Sequence, residues 1–160
     1  HYCSSDAGAS WALLGYIGPI QSFLFHRTRP GYAIFSLWTV PVHGPRSHDL
    51  FMTTDTGRTS RKVASNIVQF SWGAAENSND DRIYFTHFRP ETVKAFKGGE
   101  QPRLTRWMHG IDFSFTDDFG RTDYTTRVAE GNKFQISHGY VLVVKVRSEE
   151  RQSVELVVSA

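Results

Sequence analysis

An all-β fold of antiparallel strands, arranged as a sandwich or a barrel, follows from three features of this 160-residue chain. Aromatic residues make up 14% of it against only two Met, a mixture that suits pleated surfaces better than helices. Short segments of alternating or continuous apolar character recur along its length. Nearly all are separated by Gly, Pro, Asn or Asp, which supply turn geometry. With 39% hydrophobic and 21% charged residues the chain is globular rather than disordered, and its length suits one domain, residues 1–160.

The first strand candidates are IQSFLFHR (20–27), GYAIFSLWTV (31–40) and DLFMTT (49–54). RKVASNIVQF (61–70) suits helix and strand equally. RIYFTHF (82–88) reads as a strand, and RPETVKAFK (89–97) holds the helical signal: Pro90 near a start, Glu91 in the first turn, Lys94 and Lys97 before Gly98 and Gly99. One or two short turns of helix fit there. In GIDFSFTDD (110–118) the period-2 pattern turns Ile111, Phe113 and Phe115 inward and Asp112, Ser114 and Thr116 outward. TDYTTRV (122–128) and KFQISH (133–138) follow. GYVLVVKVRS (139–148) and RQSVELVVS (151–159) form a hairpin around Glu149 and Glu150. Tyr140, Leu142, Val144 and Val146 share its inward face with Val154, Leu156 and Val158, and Lys145, Arg147 and Glu155 face water.

HDLFMTTD (48–55), DRIYFTHF (81–88) and GRTDYTTR (120–127) each place an aromatic shortly before a threonine. A threefold β-trefoil is the alternative fold such a repeat suggests.

Cys3 is the only cysteine, which excludes an internal disulfide and a Cys-rich zinc site. No stretch reaches the roughly 20 apolar residues of a membrane span. The chain starts at His1 rather than Met, read here as a processed terminus, so a secreted protein is expected.

The formal charge is only +2, but residues 26–62 carry Arg27, Arg29, Arg46, Arg58, Arg61 and Lys62 against Asp49 and Asp55. Concentrated positive charge attracts phosphate, sulfate or an acidic membrane surface, and Arg58, Arg61 and Lys62 are the anion-binding candidates. The excess is modest beside that of nucleic-acid-binding domains, so nucleic acid is not an expected partner. A host or other partner protein remains a candidate.

His43, His48 and Asp49 offer two imidazoles and a carboxylate for zinc or copper from one short stretch. A free N-terminal His1 would chelate copper through its amine and imidazole, and in that residue the chain resembles the copper-dependent polysaccharide monooxygenases. No cofactor is the primary expectation. Catalytic signatures are missing: there is no G-x-S-x-G, no phosphate-binding glycine loop, and the paired acids Asp80–Asp81, Asp117–Asp118 and Glu149–Glu150 are neighbours that alternate across a strand. Trp72, Trp107 and His109 are further ligand-binding candidates, the two indoles by stacking on sugar rings. These features together predict a secreted, non-enzymatic protein that binds a glycan or membrane surface, lectin-like, toxin or effector. In general strand character it resembles actinoporins and fungal fruit-body lectins. The alternative is a secreted enzyme acting on polysaccharide or phosphate-bearing substrates, with a histidine-bound metal.

Overall fold

This computed structural model describes residues 2–4, 6–13, 19–39, 47–74, 80–96, 104–105 and 108–159, excepting the Cys3 side chain. Thirteen strands and one short helix occur among them, and every strand pair is antiparallel. β1 (Tyr2–Cys3) pairs with β2 (Ala12–Leu13). β3 (Ile20–Phe25), β4 (Ala33–Thr39), β5 (Ser47–Thr53) and β6 (Arg61–Ala64) form a four-stranded meander. β7 (Ile67–Trp72), β8 (Ile83–Phe88), β9 (Ile111–Thr116) and β10 (Thr125–Val128) form a second one, with the helix α1 (Pro90–Lys94) between β8 and β9. β11 (Gly131–Ser137), β12 (Tyr140–Ser148) and β13 (Ser153–Ser159) make a three-stranded sheet.

The two four-stranded sheets and the three-stranded sheet pack face to face in chain order, and among the described residues no barrel closes. Ile34, Leu50, Met52, Val63 and Ala64 of the first meander meet Ile67, Trp72, Ile83 and Phe85 of the second in one buried cluster. The other face of the second meander sends Tyr84 and Phe113 against Phe134 and Val143 of the last sheet. Each such fully buried side chain contributes about 1.5–3 kcal/mol of transfer free energy. A serial stack of four-stranded antiparallel sheets is the arrangement of propeller blades.

One turn recurs in this stack. β1–β2, β5–β6 and β9–β10 are each joined by the pattern S/T-x-D-x-G-x-S/T, at residues 4–10, 53–59 and 116–122. In each turn the residue after the aspartate and the following glycine both have positive φ: Ala7 and Gly8, Thr56 and Gly57, Phe119 and Gly120. Two consecutive left-handed residues are the signature of a tight hairpin turn, and glycine takes the second without steric cost. The aspartate carboxylate then collects the donors of the turn. Asp55 accepts the hydroxyls of Thr53 and Thr59 and the Thr59 N–H, while Asp118 accepts the hydroxyls of Thr116 and Thr122 and the N–H groups of Arg121 and Thr122. The Ser10 hydroxyl and N–H hold the Asp6 carboxyl down at about 2.

The expected aromatic–threonine repeat does not hold. Residues 48–55 lie on and after a third strand, 81–88 on a second and 120–127 across a turn into a fourth, so they do not superpose and a trefoil does not result. Residues 61–70 are two strands, split by Ser65 and Asn66, with Asn66 at φ 58°. The helix is where Pro90 and Glu91 place it.

Two facing assignments change. Asp112, Ser114 and Thr116, expected outside, are as buried as Ile111 and Phe113 because sheets cover both faces of β9. In the C-terminal hairpin Val141, Val143 and Val157 pack inward, leaving Tyr140, Val154, Leu156 and Val158 on the open face at 43–56% exposure. Lys145 and Glu155 share the packed face as half-buried residues. Both faces of this hairpin are apolar, so alternation alone could not choose between them.

Candidate functional site

Among the described residues a cleft of about 240 Å³ lies between the second meander and the last sheet. β8 and β9 aim Tyr84, Phe113 and Phe115 into it, and Val141, Val143 and Val157 close the other wall. Tyr84 stacks on Phe113 with ring centroids 5.8 Å apart at 14°, and meets Phe115 edge-on at 5.7 Å. Two arginines frame the Phe115 ring: the Arg82 guanidinium carbon is 4.1 Å from its centroid and that of Arg127 is 4.4 Å. Arg82 is oriented by donating to Asp117 and to the Tyr84 hydroxyl. Arg127 has no carboxylate partner among the described residues. Planar cations resting on an aromatic ring beside an apolar wall suit a ligand that combines a carboxylate with aliphatic or aromatic groups.

The sequence-predicted residues are dispersed. Arg58 is exposed on the 53–59 turn, and Arg61 and Lys62, as strand neighbours, diverge. Arg61 reaches the Asp118 carbonyl at 3.4 Å, whereas the Lys62 ammonium lies 2.6 Å from the buried Asp49 carboxylate. Lys62 is thereby neutralised. Trp72 is 8% exposed, donates its indole N–H to the Leu24 carbonyl at 3.1 Å, and packs edge-on against His26, so no ring face is open to a sugar. Trp107 and His43 lie outside the described residues.

His48 and Asp49 do not converge as metal ligands. The His48 Nδ1 donates to the Ile67 carbonyl and its ring stacks on Trp38 at 5.0 Å, while Asp49, on the opposite face, accepts from Ser47 and Lys62. Burial pushes the His48 imidazole below its ordinary value. His26, Asp80 and Asp81 do bring three ligand atoms together. The His26 Nδ1, however, accepts the N–H groups of Thr28 and Arg29, which places the ring proton on Nε2, facing the Asp80 carbonyl and Asp81. A cation on Nε2 would force that proton onto Nδ1, against two N–H donors, contrary to the usual support of a ligating histidine. The cluster is read as a structural clasp.

His109 belongs to an ionic network at the opposite end of the second meander. Its Nδ1 donates to Glu130 at 3.0 Å, Glu130 also takes the Gly110 N–H and the Arg89 guanidinium, and Arg89 grips Asp112 through Nε and Nη2. Burial opposes the charge on Asp112, but Arg89 and the Glu130 N–H outweigh it and hold the carboxyl below its ordinary value. Next to this network the His87 Nε2 is 3.0 Å from the Ser114 hydroxyl, and both residues are buried.

Sequence reasoning missed Arg82, Phe115 and Arg127. The S/T-x-D-x-G-x-S/T pattern could have pointed to Phe115, the residue just before its third copy, but not to the two arginines.

The antiparallel stack of sheets, together with the family that residues 1–160 match, is that of a β-rich binding or receptor-type domain. Residues 1–160 match the Sortilin-Vps10 family, described as sortilin, neurotensin receptor 3, and the chain belongs to that family. Domains of this family occur in secreted or extracellular-facing proteins and bind ligands or proteins. No curated protein is significantly similar to the chain. Among the described residues no helix is long and apolar enough to cross a membrane.

Proposed function

We propose that this chain acts as the ligand-binding domain of a secreted or extracellular-facing receptor, without catalysis, and takes an anionic polypeptide segment in the Phe115 cleft. The observation that carries this reading is the pair of guanidiniums at 4.1 and 4.4 Å from one phenylalanine ring, above an apolar wall. A carboxylate of the ligand would be held by Arg127 in a forked hydrogen bond, beside the Arg82 that Asp117 already pairs, and its apolar side chains would lie against Val141, Val143 and Val157. The family description, which names a neurotensin receptor, supports a peptide as the class of ligand. The continuous packing of the two meanders and the last sheet supports the single-domain reading of the chain.

The test is calorimetric titration with a short peptide of alternating glutamate and leucine, and with its lysine-for-glutamate counterpart. The acidic peptide binds and Arg127→Ala weakens it about tenfold or more, as expected for loss of a charge-assisted pair. Equal binding of both peptides would refute the reading.

A further inference from the structure

A second cleft, of about 230 Å³, opens between the first and second meanders, beside the recurring turns at 53–59 and 116–122. Its lining differs in kind from the Phe115 cleft: Arg61 and Arg121 stand with Thr54, Thr59 and Ser60, and the Tyr32 and Phe119 rings form its inner end. Arg29, Arg82, Arg89 and Arg147 are each paired with a carboxylate. Arg61 and Arg121 have no such partner among the described residues. The Arg61 guanidinium finds only the Asp118 carbonyl at 3.4 Å and the Met52 sulfur at 3.7 Å.

Two carboxylates lie nearby, and their geometry leaves the cleft cationic. Asp55 is turned into its own turn by Thr53 and Thr59, and Asp118 by Thr116, Arg121 N–H and Thr122; neither lines the cleft. The turn backbone lies close against β6, since a Cβ on Gly120 would stand 3.1 Å from the Val63 backbone. Two unneutralised guanidiniums and several hydroxyls around a small polar space match a tetrahedral oxyanion, which accepts many hydrogen bonds and carries concentrated charge.

We propose that this cleft is a binding site for a sulfate or phosphate monoester, held by Arg61 and Arg121 with Ser60 and Thr54 as hydroxyl donors. It is separate from the Phe115 cleft and does not depend on what binds there. Arg121 comes from the 116–122 turn and Arg61 from the start of β6, just after the 53–59 turn, so two adjacent sheets each supply one arginine to the cleft.

The experiment is an NMR titration of the ¹⁵N-labelled protein with sodium sulfate and sodium phosphate, against sodium chloride at matched ionic strength. The amides of Ser60, Arg61 and Arg121 shift saturably with both oxyanions and not with chloride. Arg121→Gln, on an exposed side chain that leaves the fold intact, weakens both about tenfold, as does Arg61→Gln. A sulfated disaccharide and O-phosphoserine then distinguish the two sources, the tighter one naming the ester. Shifts that are unsaturable, equal with chloride, or unchanged in Arg121→Gln would overturn the proposal.

Discussion

Replacing Asp112 with Ala removes the acceptor that ties β9 to the start of the helical connection. Its carboxylate takes three contacts from Arg89, at 2.7, 2.9 and 3.0 Å, and one from the Glu130 N–H at 3.0 Å, with only 10% of the side chain exposed. Breaking a buried ion pair from one side costs about 3–5 kcal/mol. Arg89 is 27% exposed and retains Glu130, which lowers the expected loss to roughly 2–3 kcal/mol. In a chain of this size that is a fall in Tm of roughly 5–10 °C. The pH dependence follows from the sign of the shift. The folded carboxyl lies below its ordinary value, so its stabilisation is complete above about pH 4, the unfolded value, and disappears as pH falls further. Calorimetric scans from pH 7 down to 2 should show this acid slope in the parent and a smaller one in Asp112→Ala. A variant within about 2 °C of the parent at pH 7, a shift worth less than 1 kcal/mol, would refute the network as a tie.

His48 and His87 are both held below their ordinary value by burial, so the unfolded chain binds protons first. Stability should therefore fall as pH drops below about 6.5, and a His87→Gln, His48→Gln double variant should flatten that slope in urea melts between pH 7 and 5. Gly131→Ala places a Cβ 2.8 Å from that of Phe113 and 2.9 Å from the Val128 carbonyl, where the last two sheets meet. The expected cost is about 1–3 kcal/mol, seen as a lower urea midpoint at unchanged slope. Lys62→Met leaves the Asp49 carboxylate buried without its cation and should lower the midpoint by more than Arg58→Ala, whose side chain is exposed.

The strands were legible in the sequence because turn residues punctuate them, and the helix because Pro90 and Glu91 mark its start. The facing of β9 was not, since alternation reports which residues differ and not whether a second sheet covers the polar set. Asp112, Ser114 and Thr116 are polar yet enclosed because each has a partner: Arg89 and the Glu130 N–H for Asp112, His87 of β8 for Ser114, and Asp118 and Gly120 of the following turn for Thr116. The basic span 26–62 was visible as composition but not as a patch: Lys62 is taken by Asp49 and Arg29 by Asp81, Arg58 stands exposed on its turn, and Arg61 lines a cleft with Arg121 of the neighbouring meander. Likewise Arg82, Phe115 and Arg127 converge through strand pairing, which a linear reading of separated residues does not display. Trp72 illustrates the converse error, a large aromatic beside a polar turn whose ring is core.

The most direct test of the Phe115 cleft as the ligand site is to map the amides perturbed when the glutamate–leucine peptide is titrated into the ¹⁵N-labelled protein. Saturable shifts concentrated at Tyr84, Phe115, Arg127 and Val143, lost in Arg127→Ala, are predicted; saturable shifts elsewhere with those four unmoved would contradict it.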